Sequence, residues 1–404
     1  MTMKMTELHF DDYSIYEQNM WFSAIEINAL CKKNLQTNEI KIVSPIPNEG
    51  ASRALHIGIL NYKDKLVLIP HLAKYVSIYN ISNNSFSQLE ISRHIYNGIH
   101  PGWYDFKLFG LFGNCLFLLS SLTAQIIKIN LDSLQFYIIP ISEFARRSIN
   151  YNYCNKIFTD DIVIKDSRFY TPILKTNMVM EFNMENSEYC FHRIGHDTCR
   201  LSSIASMKNN NDIYLIDTDE NKILRWNIKD KKGYIDSTLE TDCGDKLDIF
   251  CSVILNNKLA IINRFSDYIT IYNINTKTYK KVLIAETNPS EYNRFTYANG
   301  SYSKYRVFKK NANIIYLYSM VSEKYLFSND GDSYNNININ FEVCWDEYVK
   351  NHMDTIRENG NTYTEYTKDS LGFLIEEIKK RRKNIKNIAS NVNYGKSIYI
   401  STRL

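Results

Sequence analysis

The sequence lacks any long hydrophobic run. No apolar stretch approaches the ~20 residues that cross a bilayer, so we expect no transmembrane segment. The N-terminal stretch MTMKMTELHFDDYSIYEQ has no apolar core of a secretory signal, so none is predicted. An excess of one charge is also missing. The formal net charge of +4 is too small to predict a nucleic-acid partner.

The cysteines lack the pairing that a metal site or a disulfide framework would show. The eight residues include no Cys-x-x-Cys pair; they are Cys31, Cys115, Cys154, Cys190, Cys199, Cys243, Cys251 and Cys344. Scattered thiols without an export signal predict a cytoplasmic protein whose reduced cysteines are mostly core residues. A structural zinc site is not expected from these spacings.

Catalytic and cofactor motifs are also missing. The sequence contains no G-x-S-x-G, no P-loop and no nucleotide-binding glycine pattern, so we expect no cofactor and assign no catalytic residue. His192-x-x-x-His196 could ligate zinc on a helix, but it falls at the end of a predicted strand, which favours structural histidines. The alternation of oxygen side chains from Asp217 to Asn221 lacks the glycine and distal glutamate of a calcium loop, which favours a polar turn.

A sixteen-residue unit is present seven times. It reads LVLIPHLAKYVSIYNI from Leu66 and LAIINRFSDYITIYNI from Leu259, and looser copies start at Met20 and Ile315. The fifteenth position is always asparagine: Asn34, Asn80, Asn130, Asn183, Asn227, Asn273 and Asn329. An asparagine at the end of a strand can bond its own backbone two residues on and tolerates positive φ, so each one predicts a tight turn.

Each unit contains two short strands, and the flanking segments supply two more. Around Leu66 the predicted order is ALHIGILNY, the strand at Leu66, the strand at Val76 and SFSQLEI, which makes a four-stranded antiparallel meander. Apolar residues at positions eleven and fourteen, such as Val76 and Tyr79, are predicted to pack between neighbouring sheets. Successive units begin 44 to 56 residues apart, as propeller blades do. The sequence therefore predicts an all-β fold, a seven-bladed β-propeller of four-stranded antiparallel blades.

The segment that closes each unit, with an aromatic or apolar residue before the asparagine, resembles a kelch-type or WD40-type blade and is nearest kelch. The resemblance covers about residues 9 to 342 and implies a propeller. Kelch blades carry Gly-Gly after the second strand, whereas this sequence has pairs such as Pro70-His71 and Asp217-Thr218, and only 14 glycines in all. No binding residue of that family can be transferred.

The pattern changes beyond Glu342. We predict a propeller domain over residues 1–342 and a short α-helical C-terminal extension over 343–404 that packs on it. The segment from Ser370 carries an apolar stripe at helical spacing and a basic run from Lys379 to Lys383. This run is either a patch for phosphate or a membrane surface or, as we favour, the solvated face of a docked helix.

The face with the blade connections and the loops between second and third strands is the predicted binding face. Arginine, histidine and aromatic residues lie in these segments, a combination that suits an anionic or peptide-like ligand. A hydrated rim of unrelated loops is the alternative. The predicted ligand- or partner-binding residues are Arg53, His71, His100, Trp103, Arg147, Asp217, Asn263, Arg264, Arg294 and Tyr297.

Two function hypotheses follow from this pattern. The first is a non-catalytic cytoplasmic propeller that binds a protein, a peptide or an anionic small ligand on the loop-rich face. The second is a propeller enzyme (a lyase, cyclase or glycan hydrolase) with a dispersed His/Asp/Arg site at the channel mouth. The fold alone does not separate them, because propellers support many functions.

Overall fold

The computed structural model describes residues 5–8, 10–25, 28–49, 55–91, 106, 108–120, 125–141, 157–207, 210–239, 249–263, 266–284, 305–310, 315–319, 324–330, 332–337 and 342–344. All regular structure in these residues is β-strand. None of them forms a helix with the length and hydropathy needed to cross a bilayer.

The strands form seven four-stranded sheets, one for each copy of the repeat. The first contains β2 (Tyr13–Tyr16), β3 (Asn19–Ser23), β4 (Leu30–Asn34) and β5 (Ile40–Ser44). The second contains β6 (His56–Tyr62), β7 (Lys65–Pro70), β8 (Tyr75–Asn80) and β9 (Ser85–Glu90). The third contains β10 (Leu108–Phe112), β11 (Cys115–Ser120), β12 (Gln125–Asn130) and β13 (Phe136–Pro140). The fourth contains β14 (Val163–Lys165), β15 (Arg168–Pro172), β16 (Met178–Asn183) and β17 (Tyr189–Arg193).

The fifth sheet contains β18 (Leu201–Ser206), β19 (Asp212–Asp217), β20 (Lys222–Asn227) and β21 (Lys232–Thr238). The sixth contains β22 (Ile249–Leu255), β23 (Lys258–Asn263), β24 (Tyr268–Asn273) and β25 (Tyr279–Leu283). The seventh contains β26 (Tyr305–Lys310), β27 (Ile315–Ser319), β28 (Lys324–Ser328) and β29 (Asn335–Ile337). Within every sheet the strands are hydrogen-bonded in chain order and antiparallel, as the repeat predicts.

The first and last strands of the described chain pair with each other. Strand β1 (Met5–Glu7) is antiparallel to β30 (Glu342–Cys344), with Thr6 opposite Val343. Strand β30 also contacts β5, the outer strand of the first sheet. This pairing returns the end of the sheet-forming region to its beginning. Residues 343 and 344 of the predicted helical extension belong to β30, and the rest of the extension lies outside the described residues. The domain boundary at residue 342 stays a prediction.

The recurring asparagine closes the turn after the third strand in six sheets. The side-chain oxygen of Asn130, for example, accepts the backbone N–H groups of Asp132 (3.0 Å) and Ser133 (3.1 Å). The same bond to the second residue on occurs at Asn34, Asn80, Asn183, Asn227 and Asn273. The predicted backbone bond is therefore confirmed.

Two details of the asparagine prediction are wrong. Positive φ falls four residues after the asparagine, at Asn38, Asn84, Leu134, Ser187, Lys231 and Lys277, because the turn ends there and the next strand must begin. In the seventh sheet Asp330 replaces Asn329. Its carboxylate accepts the N–H groups of Asp332 (2.8 Å) and Ser333 (3.0 Å), although β28 pairs with β27 in the register of the other copies.

The apolar positions of the repeat pack the sheets together in series. Position fourteen of a copy faces the preceding sheet, and position eleven faces the following one, because the two lie on opposite sides of a strand. Trp226 thus packs with Val179 in the core between the fourth and fifth sheets, and Ile223 packs with Tyr272 between the fifth and sixth. All four side chains are buried. The predicted packing between sheets is confirmed.

A buried polar network links the innermost strands of three sheets. Asp161, just before β14, accepts a hydrogen bond from the hydroxyl of Ser203 on β18 and from the backbone N–H of Ser252 on β22 (3.1 Å). The two serine hydroxyls lie 2.6 Å apart. All three residues are buried. The network fixes the fourth, fifth and sixth sheets around their shared inner edge.

Candidate functional site

Seven of the ten predicted binding residues lie outside the described residues: Arg53, His100, Trp103, Arg147, Arg264, Arg294 and Tyr297. The other three stand at equivalent places in three sheets. His71 follows β7, Asp217 ends β19 and Asn263 ends β23. Each therefore lies at the end of the second strand of its sheet, on the face that carries the loops between second and third strands. The three residues belong to three different sheets.

Asp217 supports its own loop. Its Oδ1 accepts the backbone N–H groups of Arg200 (3.0 Å) and Asp219 (3.1 Å). The side chain is buried. These donors confirm the polar turn that we favoured over a calcium loop. Since Arg200 belongs to the connection between β17 and β18, Asp217 also anchors that connection against the fifth sheet.

A cavity of about 440 Å³ lies beside this anchored connection, between the fourth and fifth sheets. We call it the rim cavity. The end of β17 contributes Arg193, and the connection contributes Ile194, Gly195, His196 and Cys199. The fifth sheet contributes Lys222 and Leu224 from β20 and Gly233, Tyr234 and Ile235 from β21. Its volume lies within the range of about 300–1,000 Å³ that is usual for ligand sites.

Two glycines allow the connection to lie close to the fifth sheet. Gly195 has a φ of +71°, and a Cβ there would meet the Cys199 sulfur at 2.8 Å. A Cβ at Gly233 would meet a methyl group of Ile194 at 3.3 Å. Side chains at these positions would therefore displace the connection and change the cavity.

The charges around the rim cavity are paired. Arg193 lies 3.4 Å from Asp197, and Lys222 forms a close ion pair with Glu220. Glu220 also accepts a hydrogen bond from the hydroxyl of Thr198 (2.8 Å). The mouth therefore carries two cations and two anions, whereas Ile194, Leu224 and Ile235 supply apolar walls. Such a cavity suits a ligand that is partly apolar and partly polar.

Strand β21 exposes apolar surface beside the cavity. Tyr234 is 56% exposed and Ile235 is 50% exposed. Among the described outer strands, β21 is the longest, with seven residues. It is the edge strand of its sheet, because only β20 pairs with it there. An edge strand of this kind offers backbone N–H and C=O groups to an extended segment.

A second group of chemical side chains lies in the same interface. It consists of Glu181 on β16 with Cys190 and His192 on β17, and we call it the Glu181 cluster. Nε2 of His192 is 2.6 Å from Oε2 of Glu181 and 3.3 Å from Sγ of Cys190. These three are the described residues whose donor atoms are close enough together to hold a metal ion.

Two cations also contact the carboxylate of Glu181. Oε1 is 2.8 Å from Arg168, and Oε2 is 2.6 Å from Lys231. Burial raises the pKa of Glu181, but the hydrogen bonds from Lys231 and His192 outweigh it, so this pKa lies below its ordinary value. The carboxylate is therefore ionised at neutral pH.

The Glu181 cluster does not form a nucleophile relay. A relay requires the carboxylate on one imidazole nitrogen and the thiol on the other, whereas both contact Nε2 of His192. Burial, and then the charge of Glu181, raise the pKa of the Cys190 thiol above its ordinary value. A thiol with a raised pKa is a poor nucleophile.

Sequence reasoning missed most of these residues. It considered His192 and His196 as a pair at the end of a strand, but it singled out neither Tyr234 nor Glu181. The alternation Cys190-x-His192 on a strand was the available signal, since it puts both side chains on one face. Nothing in the sequence shows that Glu181 pairs with Cys190 across the strands.

Comparison with known proteins identifies the fold. No protein-family model and no curated protein matches the sequence. A chain of the crystal structure of the mitotic checkpoint complex is 8% identical, with a TM-score of 0.51, over 79% of this chain and 89% of that chain. YCF48 from Cyanidioschyzon merolae is 12% identical, with a TM-score of 0.50, over 81% of this chain and 98% of that chain.

The WD40 repeats of RRP9 are also similar, at 8% identity over 69% of this chain and 81% of that chain, with a TM-score of 0.44. At these identities the likeness concerns the fold alone. Together with the repeated four-stranded sheets, the likeness to the first two structures shows that the protein is a β-propeller, as the sequence predicts.

Proposed function

We propose that the protein is a non-catalytic β-propeller that binds an extended peptide segment of a protein partner at the rim cavity. The observation that carries the proposal is the position of this cavity directly beside two exposed apolar side chains, Tyr234 and Ile235. Exposed large apolar residues next to a concave site are typical of interaction surfaces.

The composition of the cavity favours a peptide over a small anion. Its two cations, Arg193 and Lys222, already pair with Asp197 and Glu220, so little net positive charge is left to hold an anionic ligand. A peptide can place an apolar side chain against the exposed Ile235 in the cavity and polar groups at the charged mouth. An extended segment can also bond the edge of β21, in the manner of strand addition.

A non-catalytic role agrees with the chemistry of the described residues. In the Glu181 cluster, the thiol of Cys190 and the carboxylate of Glu181 both contact Nε2 of His192, so the three groups do not form a relay. The propeller chain in the mitotic checkpoint complex takes part in a protein assembly, which is the kind of role proposed for this chain. Cys115, Cys190 and Cys199 are thiols without a disulfide, which supports a cytoplasmic location as part of the proposal.

Selection of peptides from a displayed random library tests the proposal. The purified protein should enrich peptides with a shared apolar residue, and their affinity should fall by about tenfold or more in Tyr234→Ala, because truncated hot-spot residues cost about 2 kcal/mol. Tyr137 on β13 is a matched control, since it is a 61% exposed tyrosine on another outer strand. Peptides that bind Tyr234→Ala as well as the parent would overturn the proposal.

A further inference from the structure

Strand register brings three different metal-binding side chains to one face of the fourth sheet. Glu181 lies directly opposite Cys190 in the β16–β17 pairing, and His192 follows Cys190 by two residues. Side chains two residues apart on a strand point the same way, and cross-strand partners share a face. The carboxylate oxygen, the thiol sulfur and the imidazole nitrogen consequently lie within 4.8 Å of one another.

A single proton on Nε2 of His192 does not serve both of its contacts. If Nε2 of His192 carries a proton, it donates to Glu181 at 2.6 Å and cannot accept the thiol proton of Cys190 at 3.3 Å. If Nε2 is unprotonated, its lone pair accepts the thiol proton. That lone pair then also faces a lone pair of the carboxylate oxygen, which is unfavourable. One proton can therefore serve fully only one of the two contacts. A cation placed among the three atoms would satisfy all of them, once Oε2 and Nε2, which lie 2.6 Å apart, separate to the spacing of two ligands of one ion.

We propose that Oε2 of Glu181, Sγ of Cys190 and Nε2 of His192 bind a transition-metal dication of borderline softness, with Zn²⁺ as the best fit. Zinc accepts sulfur, nitrogen and oxygen donors at about 2.0–2.3 Å, and a tetrahedral ion with three protein ligands takes water as the fourth. Binding releases the thiol proton of Cys190 to solvent, because the thiolate is the ligand.

The ion can reach the Glu181 cluster from solvent. Cys190 is exposed, His192 is half-buried and Glu181 is buried, so the three donors form the wall and floor of an open site. Arg168 binds the other carboxylate oxygen and orients it, as an outer-shell partner does. Trp226 lies against the His192 ring with the ring centres 4.9 Å apart, and it limits the rotation of that ring.

Lys231 competes with the metal for Glu181. Its ammonium group lies 2.6 Å from Oε2, the oxygen that we assign to the metal, so a cation already occupies that side of the carboxylate. The lysine stands in the exposed turn between β20 and β21, and its side chain is 44% exposed, so it can move aside. Two neighbouring positive charges lower the affinity for a dication. We therefore infer an exchangeable site that is weaker than a structural zinc site.

Titration of the purified full-length chain with Zn²⁺ against a chromophoric chelator tests the proposal. We expect one ion per chain, with a binding constant that falls in Cys190→Ser and in His192→Gln by more than the roughly 10–100-fold that loss of an outer-shell partner costs. Lys231→Met should bind Zn²⁺ more tightly than the parent, because the competing cation is gone. Cys115→Ser, which removes a half-buried thiol from β11, should leave the constant unchanged.

Substitution of Co²⁺ for Zn²⁺ supplies a second readout that does not depend on affinity. The parent should show a thiolate-to-cobalt charge-transfer band, and Cys190→Ser should lose this band while keeping the melting temperature of the metal-free parent. A band that persists in Cys190→Ser, the absence of a band in the parent, or Zn²⁺ binding that is indifferent to Cys190 and His192 would overturn the assignment.

Discussion

The carboxylate of Glu49 accepts the backbone N–H of Lys74 at 2.8 Å. The same oxygen accepts the N–H of Tyr75 at 3.0 Å. Glu49 lies in the connection between the first and second sheets. Lys74 precedes the third strand of the second sheet, and Tyr75 begins it. The glutamate is only 2% exposed. Burial raises its pKa to about 7, although the two N–H donors and the charge of Lys74 act in the opposite direction.

This raised pKa predicts that Glu49 makes the folded protein less stable as the pH increases. The folded state holds the proton up to about pH 7, whereas the unfolded chain releases it near 4.5. The stabilisation is therefore fully present below pH 4.5 and is lost as the pH increases to 7. At about 1.4 kcal/mol for each pKa unit, the loss totals about 3 kcal/mol. Glu49→Gln should abolish this contribution.

Urea denaturation of the parent and Glu49→Gln at pH values from below 4.5 to above 7 measures the effect. The difference between the two proteins isolates Glu49 from His56, which is buried and titrates in the opposite sense, since burial lowers its pKa to about 3. Glu39→Gln, at an exposed glutamate paired with Lys41 at 3.1 Å, is the control. A difference that does not change with pH would contradict the prediction.

The turn after the third strand should depend on the asparagine side chain. Asn130→Ala removes the acceptor for the N–H groups of Asp132 and Ser133 and should cost about 1–2 kcal/mol of unfolding free energy. Asn329→Ala should cost nothing measurable, because Asp330 holds the equivalent turn. Asp330→Ala should resemble Asn130→Ala. Equal effects of Asn329→Ala and Asn130→Ala in denaturant melts would refute this account of the seventh turn.

The aromatic residue at position fourteen should contribute strongly to packing between sheets. Tyr272 is fully buried and donates its hydroxyl to Asp236 at 2.7 Å. We expect Tyr272→Ala to cost about 3–5 kcal/mol and Tyr79→Ala a similar amount. Tyr272→Phe should cost about 1.5–3 kcal/mol, because only the bond to a charged group is lost. Thermal and denaturant melts that match the parent for both alanine variants would show that these side chains do not support the core.

The network around Asp161 should couple three sheets. Asp161→Ala leaves the buried N–H of Ser252 and the hydroxyl of Ser203 without this acceptor, which should cost about 1–3 kcal/mol for each group. Hydrogen exchange should then become faster in both β18 and β22. Asp219→Ala, at an exposed aspartate, provides the comparison. Faster exchange confined to the fourth sheet would contradict the coupling.

The sequence predicted the architecture because each copy of the repeat encodes a local rule. Apolar residues at positions such as Val76 and Tyr79 determine which side of a strand is buried, and the recurring asparagine determines where the third strand ends. The rule failed in the seventh copy, where the aligned residue, Asn329, is exposed and the turn uses Asp330. The third strand pairs in the same register as in the other copies, so the one-residue offset arises in the turn itself, which the repeat pattern does not specify.

The candidate site was less accessible to sequence reasoning for a physical reason. The rim cavity exists because Gly195 and Gly233 let a connection from one sheet approach the outer strand of the next. The Glu181 cluster exists because of a cross-strand register. The first is a contact between segments that are distant in the chain, and the second is a pairing of neighbouring strands whose register the sequence pattern does not specify. The loops could be assigned to a face from the meander, but their contacts could not.

Site-directed photo-crosslinking is the most direct test of the claim that the rim cavity binds a protein partner. A benzophenone amino acid would replace Tyr234 in one protein and Tyr137 in another, and each would be irradiated with the peptides selected on the parent and in extract of the source organism. We predict a discrete adduct from position 234 that the selected peptide suppresses, and no such adduct from position 137. Equal adducts from both positions, or none from 234 with any selected peptide, would contradict the account.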